Sequence, residues 1–217
     1  MLPFSREVFL RLFEHYNTAI WPAQIIAYAL GAVLVLLALR PRRWSDRVVS
    51  AVLAAAWLWM GVVYHMMFFA AINWAAWAFG ALFVIQGLLF AWSGGVRQRL
   101  AFRFSPTLSG FAGLGFVALA MAVYPLIGLA TDHGWPRAPM FGVAPCPTVI
   151  FTLGMLLLTA RRVPVHVMVV PLLWTAIGGM AAWQLDIIED LALLPAGVLA
   201  LCLVLWKNRR LAPSGSA

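Results

Sequence analysis

Seven apolar runs, each bounded by charge or by turn residues, leave this chain few ways to fold. They fall near residues 19–40, 48–70, 73–93, 109–131, 147–161, 164–185 and 187–206. A helix crossing a hydrocarbon core of about 30 Å needs about 20 mostly apolar residues. Inside lipid the backbone must satisfy its own polar groups, which leaves helices and closed barrels. The expected fold class is therefore an all-α membrane protein with seven transmembrane helices. One transmembrane domain covers residues 1–217, with the bundle at 19–206. Composition agrees, since 64% of the residues are hydrophobic and 10% charged, against about 25% charged in soluble domains.

The charges that remain predict an orientation. Arg40, Arg42, Arg43, Arg47, Arg97, Arg99, Arg103, Arg161, Arg162, Lys207, Arg209 and Arg210 all follow odd-numbered runs or the last one, so they share one side. Arg6, Arg11 and Arg137 fall on the other. Positive residues favour the cytoplasm, which places the N-terminus outside and the C-terminus inside, with 207–217 as a basic cytoplasmic tail. Six acids (Glu7, Glu14, Asp132, Asp186, Glu189 and Asp190) then lie outside, and Asp46 lies inside. The net charge of +8 thus sets topology, and no nucleic-acid partner is expected, because that needs a basic patch on a soluble face. The partners expected are the lipid bilayer and a small solute or ion.

Residues 4–17 predict a separate short interfacial helix. Ser5 is placed to cap it, and Phe9, Leu12, Phe13 and Tyr16 recur at helical spacing among charged neighbours. Such a helix lies in the plane of the outer leaflet or simply anchors the first span. The start has no apolar h-region and no small-residue cleavage site, so no signal peptide is expected to be removed. Trp44, Trp92 and Trp206 fall at the inner boundary, and Trp21, Trp74, Trp135 and Trp183 at the outer, as depth-setting belts.

The fifth run is too short. From Pro147 to the charge at Arg161 it holds about 15 residues, or about 22 Å of helix. The preceding chain, 141–147, must then dip to membrane depth, which is tolerated only where it is buried in protein or lines a wet cavity. Pro147 suits a first helical turn, leaving Cys146 at the helix N-terminus. The other cysteine, Cys202, lies deep in the seventh run and reads as packing. Two cysteines make no disulfide framework.

Polar residues gather toward the outer side of the runs. Gln24, Tyr64, His65, Asn73, Tyr124, Cys146, Thr148, Gln184, Asp186, Glu189 and Asp190 fall there, whereas the inner halves hold little beyond Gln86. Intramembrane polar groups are costly and usually face the bundle interior or a wet cavity. Together they predict a polar pocket opening outward, with apolar packing below it. The competing account is structural: a hydrogen-bonded histidine, a small cysteine beside a turn, and solvated acids.

Metal or cofactor chemistry has weaker support. Cys146 and His65, with Met66 and Met67, offer soft ligands of the kind copper takes. Successive helical residues point about 100° apart, however, so the three neighbours cannot converge on one ion. His65 and His166 fall at different depths, unsuited to haem. Retinal needs an intramembrane lysine, and Lys207 lies at the inner edge. No cofactor is expected, and no catalytic residues are assigned. No Gly-rich phosphate loop, HExxH or Ser–His–Asp order occurs.

Laying runs one to three on runs five to seven matches Pro22, Leu30 and Gly31 with Pro145, Leu153 and Gly154, and Trp57, Gly61 and Gly80 with Trp174, Gly178 and Gly197. A parallel 3+1+3 repeat would explain this, as would chance matching among apolar residues. Transporters with parallel repeats bind substrate near the midplane between halves. The layout resembles the sugar-transporting SWEET family, but that family's proline–glutamine pair is missing; Pro22-Ala23-Gln24 is only near it.

WPAQ at 21–24, YHMMFFAAIN at 64–73 and PCPTVIFTLG at 145–154 are similar to motifs of a bacterial integral membrane family of unknown function. The resemblance covers nearly the whole chain and implies a multi-pass protein of the bacterial cytoplasmic (inner) membrane, without indicating an activity. Three functional classes follow: a small-solute or ion permease or channel, a non-catalytic scaffold or accessory subunit, and a membrane redox or metal-handling protein using Cys146 and His65. An enzyme is the least favoured.

Overall fold

The computed structural model describes residues 2–131 and 134–211; Asp132 and tail residues 212–217 lie outside the described residues. The described chain is helical, with one bridging pair, Phe102 and Thr159, outside the helices. In order the helices are α1 (Arg6–Ala19), α2 (Ala23–Leu39), α3 (Ser45–Ala71), α4 (Ala76–Val96), α5 (Leu108–Ala130), α6 (Pro145–Leu157), α7 (His166–Leu185) and α8 (Glu189–Arg210). Five of them, α3, α4, α5, α7 and α8, are each long and apolar enough to cross a membrane. The first expected span is shorter than its run: α2 has 17 residues and meets α1 at 84°, and only together do the two pass the same test.

The fifth expected span is a 13-residue helix, α6, every residue of which is buried. It begins at Pro145, two residues before the expected start, after Ala144 in extended conformation. Both prolines occupy the first turn, where a missing N–H leaves no bond unmade. At about 20 Å, α6 is shorter than a hydrocarbon core. It lies inside the bundle against α5, α7 and α8, and irregular chain continues its column at both ends.

Above α6, the loop 134–144 is tied to α1. The Asn17 side-chain amide donates to the carbonyls of Pro136 and Ala138 at 2.7 and 2.8 Å, and the Tyr16 hydroxyl donates to Val143 O at 2.7 Å. Gln24 holds Asn17 in turn, donating to its backbone carbonyl at 2.9 Å. Below α6, the extended segment after α4 buries Leu100 and Phe102. The amide of Arg103 donates to Leu158 O at 2.9 Å, and the amide of Phe102 donates to the Asp46 carboxylate at 2.8 Å. Asp46, the one acid expected inside, thus pins backbone that has no helical partner. Asn17→Leu should remove one buried and one part-buried bond and leave two carbonyls unmet, at about 1–3 kcal/mol for the buried one. The check is limited proteolysis: the 134–144 loop should be cut faster than in the parent, with no change at 97–107.

Helix breaks have local causes. Pro125 has no N–H to offer one turn back, and the wide-turn segment Leu119–Val123 lies at that gap. Similar wide turns occupy Met60–Phe68 in α3 and Ala91–Val96 in α4. α7 stops at Asp186, whose left-handed φ of 53° a short polar side chain tolerates. α8 continues to Arg210 through the start of the expected tail. There Lys207 turns back to donate to Leu156, Leu157 and Thr159 carbonyls at 3.2, 3.2 and 2.8 Å.

Two helix pairs approach through glycine. A methyl on Gly61 would lie 2.8 Å from the Gly80 carbonyl oxygen, and one on Gly80 equally close to that of Gly61; Gly113 and Gly154 stand in the same relation. Small residues permit such backbone contact in lipid. The residues matched to Gly61 and Gly80 behave differently, since Gly178 meets Leu193 and Trp174 while Gly197 meets Thr175. Trp57 and Trp174, also matched, do share a neighbour: both pack on Phe83, with ring centroids 4.6 and 4.9 Å apart. Cys202 is exposed on α8 and not packed, contrary to expectation. The seven tryptophans assigned to belts are all exposed.

Candidate functional site

Where α1, α3, α4, α7 and α8 meet around the N-terminus of α6, the bundle leaves a cavity of about 280 Å³. Five of the eleven expected pocket residues line it: Tyr64, Asn73, Cys146, Gln184 and Asp190. Gln184 and the 62%-exposed Met180 are at its rim, while Tyr64, Asn73, Cys146 and Asp190 are buried. Each arrives for a local reason. Cys146 sits between the two prolines that open α6, and Asp190 stands in the first turn of α8, a position that favours a carboxylate at a helix start. Tyr64 lies in the wide-turn stretch of α3.

The remaining candidates separate. Tyr124 reaches the cavity indirectly, donating its hydroxyl proton to the Asp190 carboxylate. Glu189 is buried beside Asp190 at 1% exposure, whereas Asp186 turns outward to a shallow surface depression shared with Arg6. The three acids therefore do not form one solvated mouth. Gln24 and Thr148 serve the loop above α6: Thr148 accepts from the Gly142 amide and donates to Ala144 O, at 2.8 and 2.7 Å. Thr148 also borders a separate apolar crevice of about 230 Å³ between α2 and α3.

His65 is not on the cavity wall. It is fully buried beneath it, in a ring of aromatics: Phe83 at 4.6 Å, Tyr64 and Trp174 at 5.0 Å, and Phe69 and Phe79 near 6 Å between centroids. Among the described residues neither ring nitrogen has a hydrogen-bond partner. Trp174 joins the two levels. It lines the cavity, stacks edge-on to His65, and its Nε1 lies near the same point on Gly178 that Cys146 Sγ approaches, at 3.2 and 3.6 Å. Among the described residues no three His, Cys, Asp or Glu side chains converge where a metal could sit.

Sequence reading missed the roof. Phe4, Phe9 and Phe13 line the cavity from the N-terminal segment, and Phe4 meets Phe69 edge-on at 5.5 Å. The sequence reads α1 as an interfacial helix or an anchor of the first span; its apolar face packs on the bundle, burying Leu10, Leu12, Phe13, Tyr16 and Asn17. A signal existed in Asn17, an amide on the same face as Phe13 and Tyr16, which lipid would not satisfy. The charged face stays out: Glu7 pairs with Arg11 at 3.0 Å and with Arg137 at 2.5 Å, and these guanidinium groups, Arg11 first, hold its carboxyl below the usual range.

Residues 6–214 match the sequence profile of a family of unknown function, DUF6064. The chain belongs to DUF6064. The match spans every helix described above, the buried α6 included, and all of the cavity lining but Leu2 and Phe4. No curated protein matches this DUF6064 chain. No solved structure matches it either. Its apolar helices are the build of an integral membrane protein.

Proposed function

We propose that this protein is a small-solute permease or channel of a bacterial cytoplasmic membrane, crossing seven times, with its N-terminus outside and its cavity open to that side. The cavity carries the proposal: a roofed space of about 280 Å³, apolar and aromatic for the most part, with a few convergent polar groups. Ligand sites have that make-up. The orientation follows from the twelve Lys and Arg at the far end, by the positive-inside tendency. A non-catalytic scaffold or accessory subunit is the second reading, favoured by the packed aromatic floor around His65.

Cys146 supplies the test, being 8% exposed and on the cavity wall. In a Cys202→Ala background, a membrane-impermeant methanethiosulfonate added outside intact cells should modify Cys146 in the folded protein. Ala181→Phe, which fills the cavity from α7, should slow that reaction about tenfold or more, because nucleophile access governs thiol reactivity. Modification only after unfolding would leave APCPTVIF as a structural turn and return the scaffold reading to first place.

A further inference from the structure

Building on the solute-cavity proposal, we infer that the ligand of this cavity is a small organic cation, a quaternary or protonated amine, held by aromatic rings with Asp190 as its counter-charge. Three observations converge. The walls are rings: Phe4, Phe13, Tyr64, Phe69, Phe79 and Trp174 all line the same space. The negative faces of aromatic rings attract cations, more strongly where water is excluded, and aromatic cages bind quaternary ammonium groups in this way. Asp190 reaches the cavity from the start of α8, 3% exposed, accepting a hydrogen bond from the Tyr124 hydroxyl. No Lys or Arg is found among the described residues lining the cavity. A carboxyl buried here ionises only at a cost unless a cation pairs with it, and a bound ammonium would be that cation.

Other ligand classes fit less well. A hard metal cation such as calcium or magnesium wants six or more oxygens at short range, and this wall is mostly carbon; among the described residues no three His, Cys, Asp or Glu side chains converge for a softer one. An anion would face Asp190 with no described basic side chain beside it. A neutral apolar solute would fill the rings but make no use of Asp190. The Trp174 indole, 7% exposed and on the cavity wall, adds the ring type on which cation binding is strongest.

Cys146 shares the cavity, so it reports the local charge preference directly. In the Cys202→Ala protein, the test compares modification of Cys146 by 2-(trimethylammonium)ethyl methanethiosulfonate and by 2-sulfonatoethyl methanethiosulfonate. Each rate is divided by that reagent's rate with a free thiol. The cationic reagent should be favoured about tenfold or more, the scale on which a charged, low-dielectric cleft concentrates counter-ions. Choline should protect Cys146, and its uncharged isostere 3,3-dimethyl-1-butanol should not. Asp190→Asn, which keeps the shape, should remove most of the preference while leaving the rate with uncharged methyl methanethiosulfonate unchanged. Equal normalised rates for the two charged reagents, or equal protection by choline and its isostere in the parent protein, would overturn the cation inference and leave the cavity proposal standing. Failure of all three reagents on the folded protein would overturn the cavity proposal itself.

Discussion

Gly113→Val should unfold or severely destabilise the protein, while Gly115→Val, two residues along the same helix, should be nearly silent. The added Cβ at Gly113 would lie 2.8 Å from the Gly154 carbonyl oxygen and 3.0 Å from Leu158 Cγ. Backbone cannot move aside as a flexible side chain can. α6 is buried on every side, so displacing it disturbs α5, α7 and α8 together. Overpacking of a tight core costs about 1–3 kcal/mol and at times more, and the full buried helix puts this site at the upper end. Gly115 has nothing within 4 Å of a built Cβ and is exposed, and exposed substitutions stay within about 0.5 kcal/mol. The measurement is the thermal midpoint of monodisperse protein in detergent. Similar midpoints for the two variants would mean that α5 and α6 do not meet through these glycines.

Lys207→Met should be the second large effect, although it lies at the edge of the bundle. The ammonium group shares its protons among the carbonyls of Leu156, Leu157 and Thr159 and the Thr159 hydroxyl, at 2.8 to 3.2 Å. These are carbonyls at the C-terminal end of α6, which the helix itself cannot satisfy, and a cation there also complements the helix dipole. Hydrogen bonds involving a charged group contribute about 1.5–3 kcal/mol; Thr159 still donates to Leu156 O, while the Leu157 and Thr159 carbonyls lose the ammonium as donor. A loss near 3 kcal/mol is expected in the same thermal assay. Arg209→Gln, an exposed change two residues on, is the reference, with an expected change under about 0.5 kcal/mol. If Lys207→Met matched it, α6 would be capped in some other way.

The legible part of the candidate site was its polar membership, gathered at one end of the apolar runs. Tyr64, Asn73, Cys146, Gln184 and Asp190 carry hydrogen-bonding or thiol chemistry inside apolar runs, and the cost of polar groups in lipid marks such residues without coordinates. Their partition was not legible. Gln24 and Thr148 went to a backbone loop, Asp186 to the surface and His65 to the floor. Helical periodicity gives a residue's direction from its own axis; it does not say which neighbour occupies that direction. The roof and Trp174 were missed for a related reason. Phenylalanine and tryptophan in a membrane chain read as lipid-facing or core, and only neighbouring elements turn them into the wall of a cavity.

What the amino-acid order determined unaided was the class: helices long enough and apolar enough for a membrane, their approximate limits, and the separation of basic residues toward one end. Those properties are local, set by hydropathy, proline and cap residues within a few turns. The tertiary structure alone decided that α1 turns 84° from α2 to cover the bundle and that the short α6 is buried in protein on every side. It also decided that Asp46, Asn17 and Lys207 satisfy the irregular backbone above and below α6. Each of these joins residues far apart in the chain, where a buried polar group must find a partner and many partners share the right chemistry. Only the packing of the whole bundle selects among them.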